Sequence, residues 1–299
     1  MNTAMLLIPT VAVSILVAAP VQAITVTQNN NATDLANEII GPGITLVGTP
    51  TLTGDARQSG IFTGGGPADV NLPAGVVLST GIVSQILGAN TTFSFSETLG
   101  DGTGRTHELS TNFGGAGDAR LDTIIFPYHT YDASVLTFQF MINGGGGGSV
   151  GVNYVFGSEE YINFINYPFN DVFGFFLDGN NIALTPGTDA PVTVNTINPL
   201  VNSAYYINNV PNTNGYLVAD KAVQFDGLTT VLTGEALNLG PGVHTMTFAI
   251  ADAGDGLLDS GVFIQADSFE LLIPEPATLA LLGLGLAGMG LVRRREFSL

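Results

Sequence analysis

The stretch Val135-Leu136-Thr137-Phe138-Gln139-Phe140 alternates, from Leu136 onward, large apolar side chains with polar ones. A period of two places successive side chains on opposite faces of a strand, so Leu136, Phe138 and Phe140 are predicted to face a core. Similar runs recur along the chain, and turn residues separate most of them. Many short strands spaced in this way are typical of an antiparallel sandwich. The predicted strands are 44–48, 76–80, 122–126, 135–142, 150–156, 172–177, 229–232, 244–251 and 262–272.

Composition supports the same fold class and excludes a disordered chain. Charged residues make up 11% of the sequence, whereas apolar residues make up 45% and glycine alone supplies 39 of the 299 residues. Few charges combined with many glycines favour strands and turns over solvated helices. The fold is therefore predicted to be all-β: a single antiparallel β-sandwich, jelly-roll-like, with short helical insertions, over residues 24–273.

Two local features interrupt the strand pattern. Residues 34–40 can form two helical turns, with Thr33 as the N-cap, and Gly41-Pro42-Gly43 ends this helix. The five consecutive glycines 144–148 lie between two predicted strands. A phosphate-binding loop would need a following helix and a lysine, so the glycines predict a flexible hairpin connection.

The charge and the residue types exclude several function classes. The formal net charge is −18, and residues 24–276 carry four Lys/Arg against 24 Asp/Glu, which gives 4 − 24 = −20. This charge repels phosphate backbones, so nucleic acid is not expected as a partner, whereas cations and neutral polysaccharides are compatible with it. The chain has no cysteine, which excludes thiol catalysis and cysteine metal sites. Its three histidines are far apart in sequence and do not predict a zinc site.

The N-terminal segment has the pattern of a secretory signal peptide. Residues 5–19 are apolar apart from Thr10 and Ser14, and Val21-Gln22-Ala23 then forms a small-x-small cleavage site. We therefore predict a signal helix over residues 1–23 that signal peptidase cuts after Ala23. No Lys or Arg precedes the apolar stretch, so a buried N-terminal strand or helix stays open as the alternative.

The C-terminal segment has three parts in a fixed order. Pro274-Glu275-Pro276 is followed by sixteen uncharged residues, 277–292, and then by Arg293, Arg294 and Arg295. An apolar stretch of this length is slightly short for a transmembrane helix and would need some local thinning of the bilayer. By the positive-inside rule the arginines stay in the cytoplasm, and the body of the protein lies outside.

This three-part end, residues 274–299, resembles the PEP-CTERM sorting signal of Gram-negative bacteria. The resemblance implies an exosortase as a partner, transient insertion of the C-terminal helix in the inner membrane, and loss of that helix on processing. It also implies a producer that makes exopolysaccharide, so the expected location is the cell surface or the extracellular matrix. A permanent C-terminal anchor is the alternative.

The body of the chain carries longer motifs. They are Gly75-Val76-Val77-Leu78-Ser79-Thr80-Gly81, Tyr154-Val155-Phe156-Gly157-Ser158-Glu159-Glu160-Tyr161, Phe169-Asn170-Asp171-Val172-Phe173-Gly174-Phe175-Phe176, Ala249-Ile250-Ala251-Asp252-Ala253 and Asp259-Ser260. Together they resemble the choice-of-anchor L domain of bacterial surface proteins, over residues 32–273. The family is named for its variable C-terminal attachment signals, which agrees with the tail, but the resemblance supplies no biochemical role.

Six acidic residues in glycine-rich or turn-flanked loops are the candidate metal ligands. They are Glu159, Glu160, Asp171, Asp252, Asp255 and Asp259. Loop carboxylates are ligands that Ca²⁺ takes, so one or two Ca²⁺ sites are predicted, although the order of an EF-hand loop is absent. The alternative is that these acids are solvated or serve as helix and turn caps.

Two functions from different classes remain open. The first is a non-enzymatic role in adhesion or matrix binding, with exopolysaccharide as a candidate ligand. The second is a secreted carbohydrate-active hydrolase that uses Glu159, Glu160 and Asp171, because glycoside hydrolysis needs two carboxylates that flank the sugar. The chain has no tryptophan to stack on sugars, and the tyrosines that could substitute are Tyr161, Tyr167, Tyr205 and Tyr206.

Overall fold

The computed structural model describes residues 23–90, 109–210 and 219–272, which form two antiparallel β-sheets packed face to face. The all-β prediction is confirmed. The predicted signal segment up to residue 22 and the whole tail 274–299 lie outside the described residues, while Ala23 is described and exposed. Within the described ranges, no helix combines the length and the apolar character that a membrane span requires.

Fourteen strands and two α-helices make up the described part of the chain. They are β1 (Thr25–Gln28), α1 (Ala32–Ile39), β2 (Ile44–Thr53), β3 (Ser59–Thr63), β4 (Ala74–Ser79), α2 (Ala119–Ile124), β5 (Thr130–Ile142), β6 (Gly148–Ser158), β7 (Val172–Leu177), β8 (Asn180–Asn181), β9 (Tyr206–Asn208), β10 (Gly227–Thr229), β11 (Leu232–Leu239), β12 (Val243–Ala253), β13 (Ser260–Gln265) and β14 (Glu270–Leu272).

The first sheet has the strand order β1-β3-β4-β13-β6-β10-β9, and β11 and β14 also pair with the long strand β6. The second sheet has the order β2-β5-β12-β7-β8. All ladders between these strands are antiparallel. The longest pairings, β5 with β12 and β2 with β5, place β12 and β5 at the centre of the second sheet.

Aromatic side chains from both sheets fill the core between them. Phe138 and Phe248 on the second sheet and Tyr154 and Phe156 on the first are buried in one cluster. The ring of Phe173 lies 5.0 Å from that of Phe156 and 5.1 Å from that of Tyr154, so the two sheets are in direct aromatic contact. Each buried ring of this size stabilises the fold by about 1.5–3 kcal/mol relative to an exposed one.

The predicted first helix is present as α1, but Asn31 caps it instead of Thr33. The Asn31 side chain accepts hydrogen bonds from the backbone amides of Thr33 and Asp34. Leu35 and Ile39, four residues apart, are fully buried against the core. Gly43 follows with φ of 83°, a conformation in which glycine carries no strain.

The predicted strand 122–126 is wrong, because residues 119–124 form the helix α2. Asp118 caps this helix by accepting a hydrogen bond of 2.9 Å from the Arg120 amide. Leu121, Ile124 and Ile125 follow the i, i+3, i+4 spacing of a helix face, and they pack on the outer side of the second sheet. The period of these apolar residues therefore indicates a helix and not a strand.

Three further expectations need correction. The glycines 144–148 do not close a hairpin, because β5 belongs to the second sheet and β6 to the first. The predicted strand 262–272 is two strands, β13 and β14, since Asp267 between them adopts φ of 55° and interrupts the extended backbone. The predicted strand 229–232 covers the end of β10 and the start of β11, which pair with different parts of β6.

Candidate functional site

Four segments meet at one end of the sandwich, which we call the acidic end: Thr80 after β4, Ser158 at the end of β6, Asp171 before β7, and the turn from Asp252 to Ser260. The Thr80 amide donates to the Ser260 carbonyl at 2.9 Å, and Ser260 pairs with Ser158 across the sheet. The Ser260 hydroxyl in turn donates to Asp171 across the gap between the sheets, at 2.6 Å. Strand register and hydrogen bonds thus hold the acidic end together.

Asp171 is fully buried and has a partner on each carboxylate oxygen. Oδ1 accepts from the Ala253 amide at 2.9 Å, and Oδ2 accepts from the Ser260 hydroxyl. Burial raises the pKa of Asp171 to about 8, partly offset by these two hydrogen bonds, and the nearby carboxylates of Asp255 and Asp259 raise it further. Without a compensating cation, Asp171 is therefore largely protonated at neutral pH.

Asp252 is also fully buried, and it has no hydrogen-bond partner of normal geometry on either oxygen. The Thr80 hydroxyl, which accepts a hydrogen bond of 2.8 Å from the Ser260 amide, lies near enough to lower the pKa of Asp252. Burial, together with the charges of Asp171 and Asp259, raises the pKa of Asp252 well above its usual value. A buried carboxyl without partners is costly, so this residue is the most unusual feature of the acidic end.

Asp259 and Asp132 hold the segment from Thr111 to Gly115 against the sandwich. Asp259 accepts from the Thr111 amide at 2.7 Å and from its hydroxyl at 3.0 Å. Asp132 accepts from the Phe113 amide at 2.8 Å and from the Gly115 amide. Burial raises the pKa of Asp259 to about 6, although the bonds from Thr111 lower it. These two carboxylates therefore have a clear structural role.

The remaining candidate ligands lie close to the same end. Glu159 and Glu160 directly follow β6 and are only 4% and 2% exposed. The Glu159 amide donates to the Asp259 carbonyl at 3.2 Å, so the two acidic segments predicted from sequence form one neighbourhood. Asp255 is only partly buried, in the turn between β12 and β13.

The structure shows that most of the candidate acids are not solvated, and it limits how many of them could bind one metal ion. Five of the six candidate acids, all except Asp255, are buried and are therefore not solvated loop residues. Across residues 23–90, 109–210 and 219–272, no three acidic or histidine side chains are grouped so that they could hold a metal ion together. A cation at this end would thus have to take most of its ligands from other oxygens.

Exposed aromatic side chains surround the acidic end. Phe126 and Tyr128 lie in the loop before β5 and are 84% and 43% exposed, and Tyr131, 41% exposed, is the register partner of Asp252. Tyr167, in the loop before β7, is 57% exposed. The turn at Gly254 links the two loops: its amide donates to the His129 carbonyl, and a Cβ at this position would lie 3.0 Å from the Pro168 carbonyl oxygen.

The tyrosines that sequence analysis offered as sugar platforms behave differently from one another. Tyr161 is fully buried, and its ring lies 5.0 Å from that of Tyr206, so packing explains it. Tyr205 and Tyr206 are half-buried. Tyr167 is the one member of the predicted set with more than half of its surface exposed.

Comparison with protein families decides the identity of this fold. The family model of the choice-of-anchor L domain matches residues 23–270. The chain belongs to the choice-of-anchor L domain family. The PEP-CTERM protein-sorting motif matches residues 272–295, which marks an exported, cell-envelope-associated protein that an exosortase processes. Neither the curated proteins nor the solved structures contain a significant match.

In this choice-of-anchor L domain, sequence analysis missed Asp132, Thr80 and Ser260 as members of the acidic end. The pairing of β5 with β12 shifts register between Ser134 and Tyr131, and Asp132 adopts φ of 48°, so the alternation along β5 does not predict where Asp132 lies. Thr80 and Ser260 could not be identified from such a pattern either, because their role depends on the pairing of β4 with β13.

Proposed function

We propose that this protein is a non-enzymatic adhesion or matrix-binding component of the cell surface, and that it binds neutral polysaccharide. The observation that carries the proposal is the group of exposed aromatic residues Phe126, Tyr128, Tyr131 and Tyr167 around one end of the sandwich. Exposed aromatic rings with polar edges suit a ligand that combines apolar ring faces with hydroxyl groups.

The charge of the protein favours a neutral ligand over an acidic one. Residues 24–276 carry a net charge of 4 − 24 = −20. Two basic side chains near this surface already have acidic partners: Arg120 contacts Asp118, and His129 contacts Asp122. An anionic polymer would therefore be repelled, whereas a neutral polysaccharide would not.

The burial of Glu159, Glu160 and Asp171 supports binding over hydrolysis. A glycosidase must bring two carboxylates to opposite sides of a glycosidic bond. A raised pKa such as that of Asp171 suits a general acid, but Asp171 is fully buried and both of its oxygens are bound to protein donors. The hydrolase hypothesis would therefore require the acidic end to open.

The test is a binding assay of the exported protein on neutral polysaccharide from the producing cells. We expect the double substitution Phe126→Ala and Tyr167→Ala to weaken binding at least tenfold, because it removes a ring from each of the two loops. Val243→Ala is the control, since Val243 is 51% exposed and lies at the opposite end of β12. Equal losses in both variants, or no binding by the wild type, would contradict the proposal, and release of reducing sugar would favour a hydrolase.

A further inference from the structure

The inward-facing positions of the sandwich change from apolar to polar at the acidic end. In β12 the buried core residues Met246, Phe248 and Ile250 are followed at the next inward position by Asp252. The same change occurs in the facing strands: Leu78 is followed by Thr80, Phe156 by Ser158, and Val262 is preceded by Ser260. All of these polar residues are buried, and we call the polar part of the sandwich interior that they form the polar chamber.

Among the described residues, no cationic side chain balances the negative charge in this chamber. The three Lys and Arg residues in the described ranges have partners elsewhere: Arg57 binds Asp55, Arg120 binds Asp118, and Lys221 donates to the Pro67 carbonyl. The two described histidines likewise contact Asp122 and Asp178. Carboxylates buried together must therefore bind protons or share a bound cation.

The surroundings of Asp252 favour a bound cation over a bound proton. A protonated carboxyl group still needs an acceptor for its proton and a donor for its other oxygen, and neither Asp252 oxygen has a partner of normal geometry among the described residues. A bound cation would satisfy both oxygens at once. Asp171, whose charge acts most strongly on Asp252, has two protein donors but retains lone pairs for a metal.

We propose that the polar chamber binds one hard divalent cation of the Ca²⁺ type, with Asp252 as its central ligand and Asp171 as the second carboxylate. The remaining ligands are backbone carbonyls, hydroxyls or waters, because no third acidic side chain is grouped with these two in the described part of the chain. Such a site does not depend on polysaccharide binding, and its occupancy can be tested separately.

The first test measures the melting temperature of the exported protein in chelator and in millimolar CaCl₂ at pH 7. A cation that binds only the folded state stabilises it, and we expect the melting temperature to rise by about 5 °C or more at a hundredfold excess over the dissociation constant. Asp252→Asn, which has nearly the same shape, should lose this rise. Asp189→Asn, the same change at an exposed loop residue, should keep it.

The second test detects the metal directly and remains informative if Asp252→Asn fails to fold. Tb³⁺, a luminescent substitute for Ca²⁺, should emit when tyrosine is excited, because the buried Tyr161 is close enough to Asp171 for that charge to raise its pKa. The emission should saturate at one Tb³⁺ per protein, and added Ca²⁺ should lower it by displacing Tb³⁺. The proposal is overturned if the melting temperature is the same in chelator and in Ca²⁺ and no Tb³⁺ emission is seen. The buried carboxylates would then be neutralised by bound protons instead of a cation.

Discussion

At the scale of single residues, Asp132 holds the Phe113–Gly115 half of the segment that Asp259 holds at Thr111. Its carboxylate accepts two backbone amides, from Phe113 and Gly115, and the Phe113 ring lies under the Arg57 guanidinium at 4.6 Å. Asp132 itself adopts φ of 48°, which Asp and Asn tolerate better than most residues. Asp132 thus holds the part of the segment that Asp259 does not contact.

We predict that Asp132→Asn lowers the free energy of unfolding by about 1–3 kcal/mol. The substitution keeps the shape and the backbone preference, but it turns an NH₂ group toward a backbone amide that needs an acceptor. Urea unfolding measures the effect. Asp189→Asn, an exposed position, should change stability by less than about 0.5 kcal/mol. Similar values for the two variants would mean that other contacts hold the segment.

The buried carboxyls also predict a pH dependence in chelator. The pKa values of Asp171, about 8, and of Asp259, about 6, are raised in the folded state, so the folded protein binds more protons than the unfolded one between pH 4 and 8. Stability therefore falls as pH rises through this window. Unfolding midpoints at pH 5 to 8.5 measure this fall, and saturating Ca²⁺ should flatten it.

His244 must be separated from this effect. The hydrogen bond to Asp178 raises the pKa of His244, and the stability from that pair is lost as pH rises through the raised pKa, in the same direction. His244→Asn removes this contribution and should keep most of the decrease in stability between pH 5 and 8.5. If stability no longer depends on pH in His244→Asn, the buried aspartates do not titrate as described.

At the scale of secondary structure, close strand packing makes particular glycines necessary. Gly75 in β4 pairs with Gln265 in β13 and adopts φ of 154°, and a Cβ there would lie 1.9 Å from the Ile264 carbonyl oxygen. That contact is with backbone, which cannot move aside without breaking the ladder. Both the backbone conformation and the space therefore require glycine.

We predict that Gly75→Ala destabilises the protein by about 2 kcal/mol or more, or prevents folding, because β4 and β13 must separate to admit the methyl group. Gly146→Ala is the matched control, since a Cβ at Gly146 has no atom within 4 Å. Circular dichroism and urea unfolding compare the two. A stable Gly75→Ala variant would show that the β4–β13 pairing is looser than the structure indicates.

Sequence patterns were reliable for central strands and less so at the edges. The strand that contains Leu136 and Phe138 follows a clear period of two because one face lies in the core. The helix α2 was missed because Leu121, Ile124 and Ile125 make an apolar run in which the helical spacing was not recognised. The short strands β1 and β9 depend on pairing with strands about 20 residues or more away in sequence, which single-sequence patterns do not report.

At the scale of the whole molecule, sequence located the acids of the candidate site but not their environment. Glu159, Asp171 and Asp252 were singled out from their loops, yet their burial follows from the meeting of four segments from both sheets. Sequence separation gives no information on such convergence. The acidic end therefore forms only when distant segments pack together. The local sequence indicates which acidic residues it contains but not that they are buried.

The sorting motif predicts that the mature protein lacks its C-terminal segment. Pro274-Glu275-Pro276 precedes the apolar stretch 277–292 and the arginine cluster 293–295, and the motif match covers residues 272–295. By the positive-inside rule we expect the arginines to stay in the cytoplasm while the body is outside. Cleavage by the exosortase near Pro276 would leave a body of net charge close to −20. Intact-mass analysis of surface-extracted protein should give a species that begins near Ile24 and ends near Pro276.

A substitution in the motif provides the control for this prediction. Replacing Pro274, Glu275 and Pro276 by alanine leaves the apolar stretch and the arginines intact, so the protein should still insert in the membrane but should retain its full C-terminus. The same full-length mass is expected from cells that lack the exosortase. If wild-type protein from the cell surface keeps residues 277–299, the segment is a permanent anchor, and its hydrophobic stretch holds the body at the membrane instead of releasing it.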